Sequence, residues 1–249
     1  TAVSLATGYN GFYAAGSSSN TLRRLYAAAA NGTGLSLDAL SNYNDVAQST
    51  AAGVAAGRYA LDIAFSDFNR VTASVVRSLN GNAALFDNAD RNFIAGSTIV
   101  ASAANAYGVH FLQSSSNSLV NSYVQGSTAV VVSGSTGTAI GGAYLSGESV
   151  GGSAVWVGTG SVNLALSSSA LSGGAFGYGL YLDANNAGRI MVSTNTVYES
   201  RFGIYIATQP AGPEIWIASN TVYLGTATLS TYGFLFNGLL TGATVTNNA

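Results

Sequence analysis

The sequence predicts an all-β fold: a parallel β-solenoid of about ten coils with three short strands per coil. Three observations carry that prediction. A Gly or Ala followed by apolar, variable and apolar residues recurs ten times, at Gly11, Gly34, Ala60, Ala83, Gly108, Ala129, Ala154, Gly179, Gly203 and Gly233. The mean spacing is roughly 25 residues, inside the range in which a period signals stacked structural repeats. Each recurrence opens a segment with period-2 alternation, and each segment is followed at a nearly fixed distance by a turn residue, most often Asn. Helical repeats would need a sustained 3.6-residue period, which is missing, and 31 Gly would weaken them further.

Taken in order, the first element of a coil is a strand: Leu61 and Ile63 flank Asp62, Val155 and Val157 flank Trp156, Ile204 and Ile206 flank Tyr205. The flanking residues point inward and the middle one outward. Six residues beyond the second inward position stand Asn20, Asn69, Asn92, Asn117 and Asn163, with Thr138 and Gly188 as substitutes and Asn44 one residue late. Asn tolerates a left-handed backbone, and its amide can stack on the copy in the next coil, so these residues form a predicted structural ladder. Two residues further on a second inward column begins: Leu22, Val46, Val71, Ile94, Leu119, Ile140, Ala165, Ile190 and Ile215. A third strand follows, clearest where Asn195 precedes Val197 and Asn220 precedes Val222. Such short strands bury their apolar columns only by stacking, about 4.8 Å per coil, into a rod on the order of 50 Å long.

One period runs end to end, so residues 1–249 form a single domain. Charged residues make up 7% of the chain, Lys is absent, and the net charge is -2. A nucleic-acid or acidic-membrane partner is therefore not expected. No apolar run reaches the about 18 residues of a membrane-crossing helix, so no transmembrane segment is predicted. With no Cys, disulfide frameworks and thiolate metal sites are excluded. Abundant Ser, Thr, Gly and Ala without Lys or Cys is the composition associated with an extracellular, bacterial surface.

Three strands per coil, an Asn at a turn and inward Val, Ile and Leu columns together resemble the right-handed parallel β-helix superfamily, the pectin-lyase-like fold. The resemblance extends from Gly11 to about Val245 and, with the general preference for right-handed crossovers, supplies the expected hand of the coil. That fold hosts lyases, hydrolases, phage tailspikes, adhesins and structural passengers, so the resemblance implies architecture and leaves activity open. The NTD, DD, GHG and RIK strings of polygalacturonase-like members do not occur here. Pectate-lyase-like members use a calcium-binding Asp cluster beside a base. The nearest equivalent is the acid-rich stretch from Asp38 to Asp90, where register sets Asp67 over Asp90 as a candidate calcium site, with Arg70 and Arg91 beside them.

Gly147, Glu148, Ser149, Val150, Gly151 matches a nucleophile-elbow string, but His110, the single His, precedes it and no helix is expected after it. Without Lys a phosphate-binding Walker loop is excluded. More telling is the outward column of the first strand: Tyr13, Ser36, Asp62, Leu85, His110, Val131, Trp156, Tyr181, Tyr205 and Leu235. A second outward column ends in Met191 and Trp216 and a third in Tyr198 and Tyr223, faces too aromatic to meet only water. Tyr13, His110, Trp156, Tyr181, Tyr205 and Trp216 are the candidate residues for gripping a glycan or partner. Tyr59, Tyr107, Tyr178, Phe202 and Tyr232, each just before the small residue, read as turn stacking.

Thr1 to Thr7 reads as a partial coil and Thr244 to Ala249 stops within one, so end-to-end stacking or membership of a longer rod is expected. The leading expectation is a non-enzymatic extracellular structural or adhesive solenoid that self-associates or meets other surface proteins. The alternative is a polysaccharide-binding or polysaccharide-degrading protein that works through the Asp-rich coils. Ice binding would need a regular Thr array, which the outward columns lack.

Overall fold

The computed structural model describes residues 2–209, 213–224, 231–238 and 242–249, with backbone alone over 2–7. Thr1, part of the expected opening half-coil, lies outside the described residues. Among the described residues, thirty strands fall into three ten-stranded parallel sheets, and each sheet takes every third strand. The first sheet runs from Phe12–Ala15 to Tyr232–Phe236, the second from Thr21–Arg23 to Ala243–Thr246, and the third from Ala2–Thr7 to Thr221–Leu224. This is a β-solenoid with three strands per coil. Among the described residues there is no helix, and so none long and apolar enough to cross a membrane.

The recurrent small residues stand in one file. Ala84 pairs with Leu61 and Val109, Val130 with Val109 and Val155, and Leu180 with Val155 and Ile204, so the small residue before each sits over the next. Size is limited there because the third sheet turns into the first. A Cβ on Gly108 would lie 2.6 Å from the Ala129 carbonyl oxygen and 2.5 Å from Val124 Cγ1. Ala60, Ala83, Ala129 and Ala154 fill the same file with no exposed surface. Inside, aliphatic columns form one continuous core, with the Phe86 and Phe111 rings tilted against each other at 5.2 Å between centroids.

The corners are closed by side-chain oxygens that accept backbone N–H groups from the coil below. The N–H of Asn20 donates to Asn44 Oδ1 (2.9 Å), that of Asn44 to Asn69 (2.8 Å), of Asn69 to Asn92 (2.7 Å) and of Asn92 to Asn117 (2.8 Å). Asn92 Nδ2 donates to Ser66 O and Asn117 Nδ2 to Ala89 O, so each amide satisfies two otherwise orphaned backbone groups. A second file at the next corner uses Ser49, Ser74, Ser97 and Ser122, then changes to Asn195, Asn220 and Asn248.

Two expectations are corrected by the register. Ala139 pairs with Ala165 and Ile140 with Leu166, which puts Leu164, and not Asn163, over Thr138. Asn163 is exposed with φ 56° at a bulge between Val162 and Leu164, where its Oδ1 accepts the Arg189 N–H (2.8 Å); Gly188 belongs to the same bulge. Ala165, expected inward, therefore faces solvent, and Leu166 takes the buried place. The cause is strand length: the second sheet lengthens from triplets such as Phe93–Ala95 to Val162–Ser167 and Ala187–Ser193. Once ladder bonds such as Ala165 N–H to Thr138 O (3.0 Å) serve that stretch of backbone, an aliphatic file of Leu164, Ile190 and Ile215 can replace the amides.

Candidate functional site

The ten residues of the outward column of the first sheet stand in register from Tyr13 to Leu235. Their surroundings differ. Tyr13 is 55% exposed, its hydroxyl reaching Asp38 Oδ2 at 3.4 Å, whereas Val131, flanked by His110 and Trp156, is 2% exposed. Tyr13 and Trp156 are six strands apart, roughly 30 Å at the usual strand spacing, so they do not share a site. Trp216 lies on the second sheet, 40% exposed, with the Arg189 guanidinium 5.7 Å from its ring centre and Glu214 3.8 Å from Arg189 Nε.

What the structure does bring together is Trp156, Tyr181 and Tyr205 with three residues of the neighbouring column. Tyr178, Phe202 and Tyr232 pair in succession, their rings stacking at 4.9 Å and 5.8 Å between centroids. Tyr181 stacks on Tyr205 at 5.0 Å and 5°, while Trp156 and Tyr178 meet Tyr181 edge-on at 6.5 Å and 5.0 Å. Such offset-stacked and edge-to-face contacts hold rings in place while leaving part of each face outward. Tyr178 and Phe202 thus belong to the aromatic lane as well as to the corner. Their placement is the signal that column reading could have used: they occupy the outward position two residues before Leu180 and Ile204.

That neighbouring column has a gap. In order it runs Tyr59, Asn82, Tyr107, Thr128, Ser153, Tyr178, Phe202, Tyr232, so two small hydroxyl residues interrupt the rings. The interruption opens a cleft of about 420 Å³ lined by Tyr107, Thr128, Ser153, Trp156, Tyr178 and Asp183, with a wall from the turn at 149–152. Ser127 Oγ donates to Ser149 Oγ (2.6 Å) and anchors that wall. Ser149 therefore serves a turn, with no helix behind it. Burial raises the hydroxyl pKa of both Tyr178 and Tyr181, so both stay neutral at ordinary pH.

Further down the same face, inside the acid-rich stretch, lies an acidic centre on Asp62 and not on the Asp67 and Asp90 pair. Asp62 faces outward between Ser36 and Leu85, with Asp38 and Asp87 two residues along the adjoining strands. Burial, then the charges of Asp38 and Asp87, push its carboxyl up to about 6, and the buried Asp62 Oδ1 has no hydrogen-bond partner among the described residues. His110 is depressed by burial, with Asp87 acting in the opposite sense, and its ring meets Tyr107 edge-on at 5.4 Å. Asp67 and Asp90 stand in one outer file: Asp67 Oδ1 accepts the Asp90 N–H (2.7 Å), and Asp90 Oδ1 accepts the Ser115 N–H (2.6 Å). Arg70 and Arg91, expected beside them, lie over rings, Arg91 above Phe68 and Arg70 above Phe93. Among the described residues no group of three or more His, Cys, Asp or Glu could hold a metal ion.

No family model matches the chain, and no curated protein does. Among solved structures it is similar to the tailspike protein gp49 of Pseudomonas phage LKA1, at 8% identity over 92% of this chain and 49% of that one, with a TM-score of 0.57. It is also similar to the Agl-KA catalytic domain, at 10% identity over 88% of this chain and 56% of that one, with a TM-score of 0.52. The chain thus spans about half the length of each of these two structures. At these identities the likeness is one of fold, and it is the right-handed parallel β-helix, pectin-lyase-like fold that the sequence resembles.

Proposed function

We propose that this protein is an extracellular surface solenoid that adheres to polysaccharide through the outward face of its first sheet. The observation that carries this reading is the aromatic lane from Trp156 to Tyr232, rigid, partly exposed and opening into a cleft lined with hydroxyls. Flat rings present an apolar face to the C–H edges of a sugar while neighbouring hydroxyls take its polar groups. Its fold neighbours, a phage tailspike protein and the Agl-KA catalytic domain, share the rod and do not specify a ligand. Copies of the rod also associate in this reading, since a net charge of -2 opposes contact only weakly.

A second reading, cleavage of the bound polysaccharide, is favoured by Asp62, whose carboxyl is protonated to a useful extent near neutral pH and so could act as a general acid. One assay separates the two. The protein is passed over a panel of immobilised polysaccharides, with and without calcium, and the eluates are tested for new reducing ends and unsaturated uronates. Retention without product is the expected result. Product that disappears in Asp62→Asn would establish the second reading; product that disappears only in the Asp67→Asn, Asp90→Asn double variant or without calcium would move the chemistry to that pair. Failure to be retained on any polysaccharide would sink the adhesive reading.

A further inference from the structure

We propose that the interruption between Tyr107 and Tyr178 is a subsite for a short, uncharged glycan segment and that it rejects uronates. The proposal rests on the glycan reading above and adds to it a place, a ligand class and a basis for selection. Tyr107 and Tyr178 belong to one file and are separated by three strand steps, about 14 Å. Beyond the gap the rings of this file lie on one another, Tyr178 on Phe202 and Phe202 on Tyr232, while Asn82 separates Tyr59 from Tyr107 on the near side. At Thr128 and Ser153 alone two adjacent coils withhold a large side chain while rings stand on either side, and the cleft opens there. Its volume of about 420 Å³ falls in the range of small-ligand sites.

The walls state the chemistry of the occupant. Trp156 and Tyr178 supply aromatic surface, and Ser127, Thr128 and Ser153 supply hydroxyls at one edge. Asp183 stands at the other edge; its Oδ1 accepts the Ala184 N–H (2.8 Å), leaving Oδ2 to accept a sugar hydroxyl. Among the described residues lining the cleft, Asp183 is the one charged side chain, and none is Arg or His. The Arg201 guanidinium lies over Phe202, 4.9 Å from its centre, one coil beyond the lining. A ligand carboxylate in the cleft would thus meet the like charge of Asp183 within the lining, while the charge of Arg201 reaches Tyr178 from one coil away. Near a protein surface that repulsion, at a few ångströms, is worth at least about a tenfold loss of affinity.

Trp156 reports on its own site. The chain has 2 Trp, so Trp216→Phe leaves Trp156 as the single indole fluorophore. This variant is titrated with cello-, malto-, laminari- and chito-oligosaccharides and, separately, with oligogalacturonate and oligo-alginate at low salt. Expected is a change in Trp156 fluorescence with at least one neutral series, at least about tenfold tighter than with either uronate. Adding Asp183→Asn should narrow that gap from the uronate side, as should raised salt. Adding Ser153→Tyr should continue the ring file through the gap and abolish the neutral signal, with the thermal melt showing that the coil persists. Uronates bound as tightly as neutral sugars would overturn the inference and leave the glycan reading standing. So would glycan retention by the rod that neither perturbs Trp156 nor responds to Ser153→Tyr or Asp183→Asn. Retention of no glycan at all overturns both.

Discussion

Asp62 shows how a single residue can be legible in position and illegible in chemistry. Alternation fixed it as the outward partner of Leu61 and Ile63, but its burial depends on what stands in the coils above and below. Two other acids, Asp38 and Asp87, are brought beside it only by stacking. Because its folded carboxyl is raised from 3.8 to about 6, the charged form is the disfavoured one. Stability attributable to the protonated group is complete below about pH 4 and is lost as pH rises through 6, a swing of about 3 kcal/mol. Melting temperature should accordingly fall between pH 4 and pH 7. Asp62→Asn should flatten that stretch of the profile and raise the melting temperature at pH 7; a variant with the parent's pH profile would show that another group is responsible. Trp216 is the opposite case: its place in the second outward column with Met191 is legible in the sequence, and the structure sets it on the second sheet, apart from Trp156.

At the scale of the element, the corner between the first and second sheets is the instructive case. From Asn20 to Asn117 the turn leaves a backbone N–H that only a side chain can reach, so an Asn recurs at a readable distance. From Leu164 onward the strand itself runs through that position, and the amides stand earlier in the corner, where Asn186 Oδ1 accepts the Ser161 N–H and Gln209 Oε1 the Asn186 N–H. Spacing by itself could not register that change, because the bulge at Asn163 keeps an Asn at the expected count while shifting it off the file. Asn92 is buried in the middle of the ladder, accepting from the Asn69 N–H and donating to Ser66 O. Asn92→Ala should therefore cost about 2 to 4 kcal/mol by stranding both groups, measured by urea denaturation. Asn163→Ala, at an exposed bulge with one bond to Arg189, should cost less than about 1 kcal/mol. Equal losses at the two sites would mean that the ladder does not hold the corner.

For the whole molecule, each coil touches only its neighbours, so a stack of many short strands becomes one core and one set of continuous faces. The self-association proposed above belongs to this scale. It predicts a sedimentation coefficient that rises with protein concentration at moderate salt, and a single monomeric species across the whole range would sink it. By itself the sequence determined the solenoid, its three strands per coil, the file of ten small residues and the outward column, because period and alternation are local consequences of strand geometry repeated coil after coil. It also bounded chemistry by what it lacks, Lys and Cys. Only the tertiary structure decided the rest: where the Asn file gives way to aliphatics, which aromatics share a face, that Thr128 and Ser153 open a cleft between rings, and that Asp62 is crowded by two acids. Those outcomes depend on register between residues more than twenty positions apart, and a one-residue bulge is enough to move a side chain from the core to the surface.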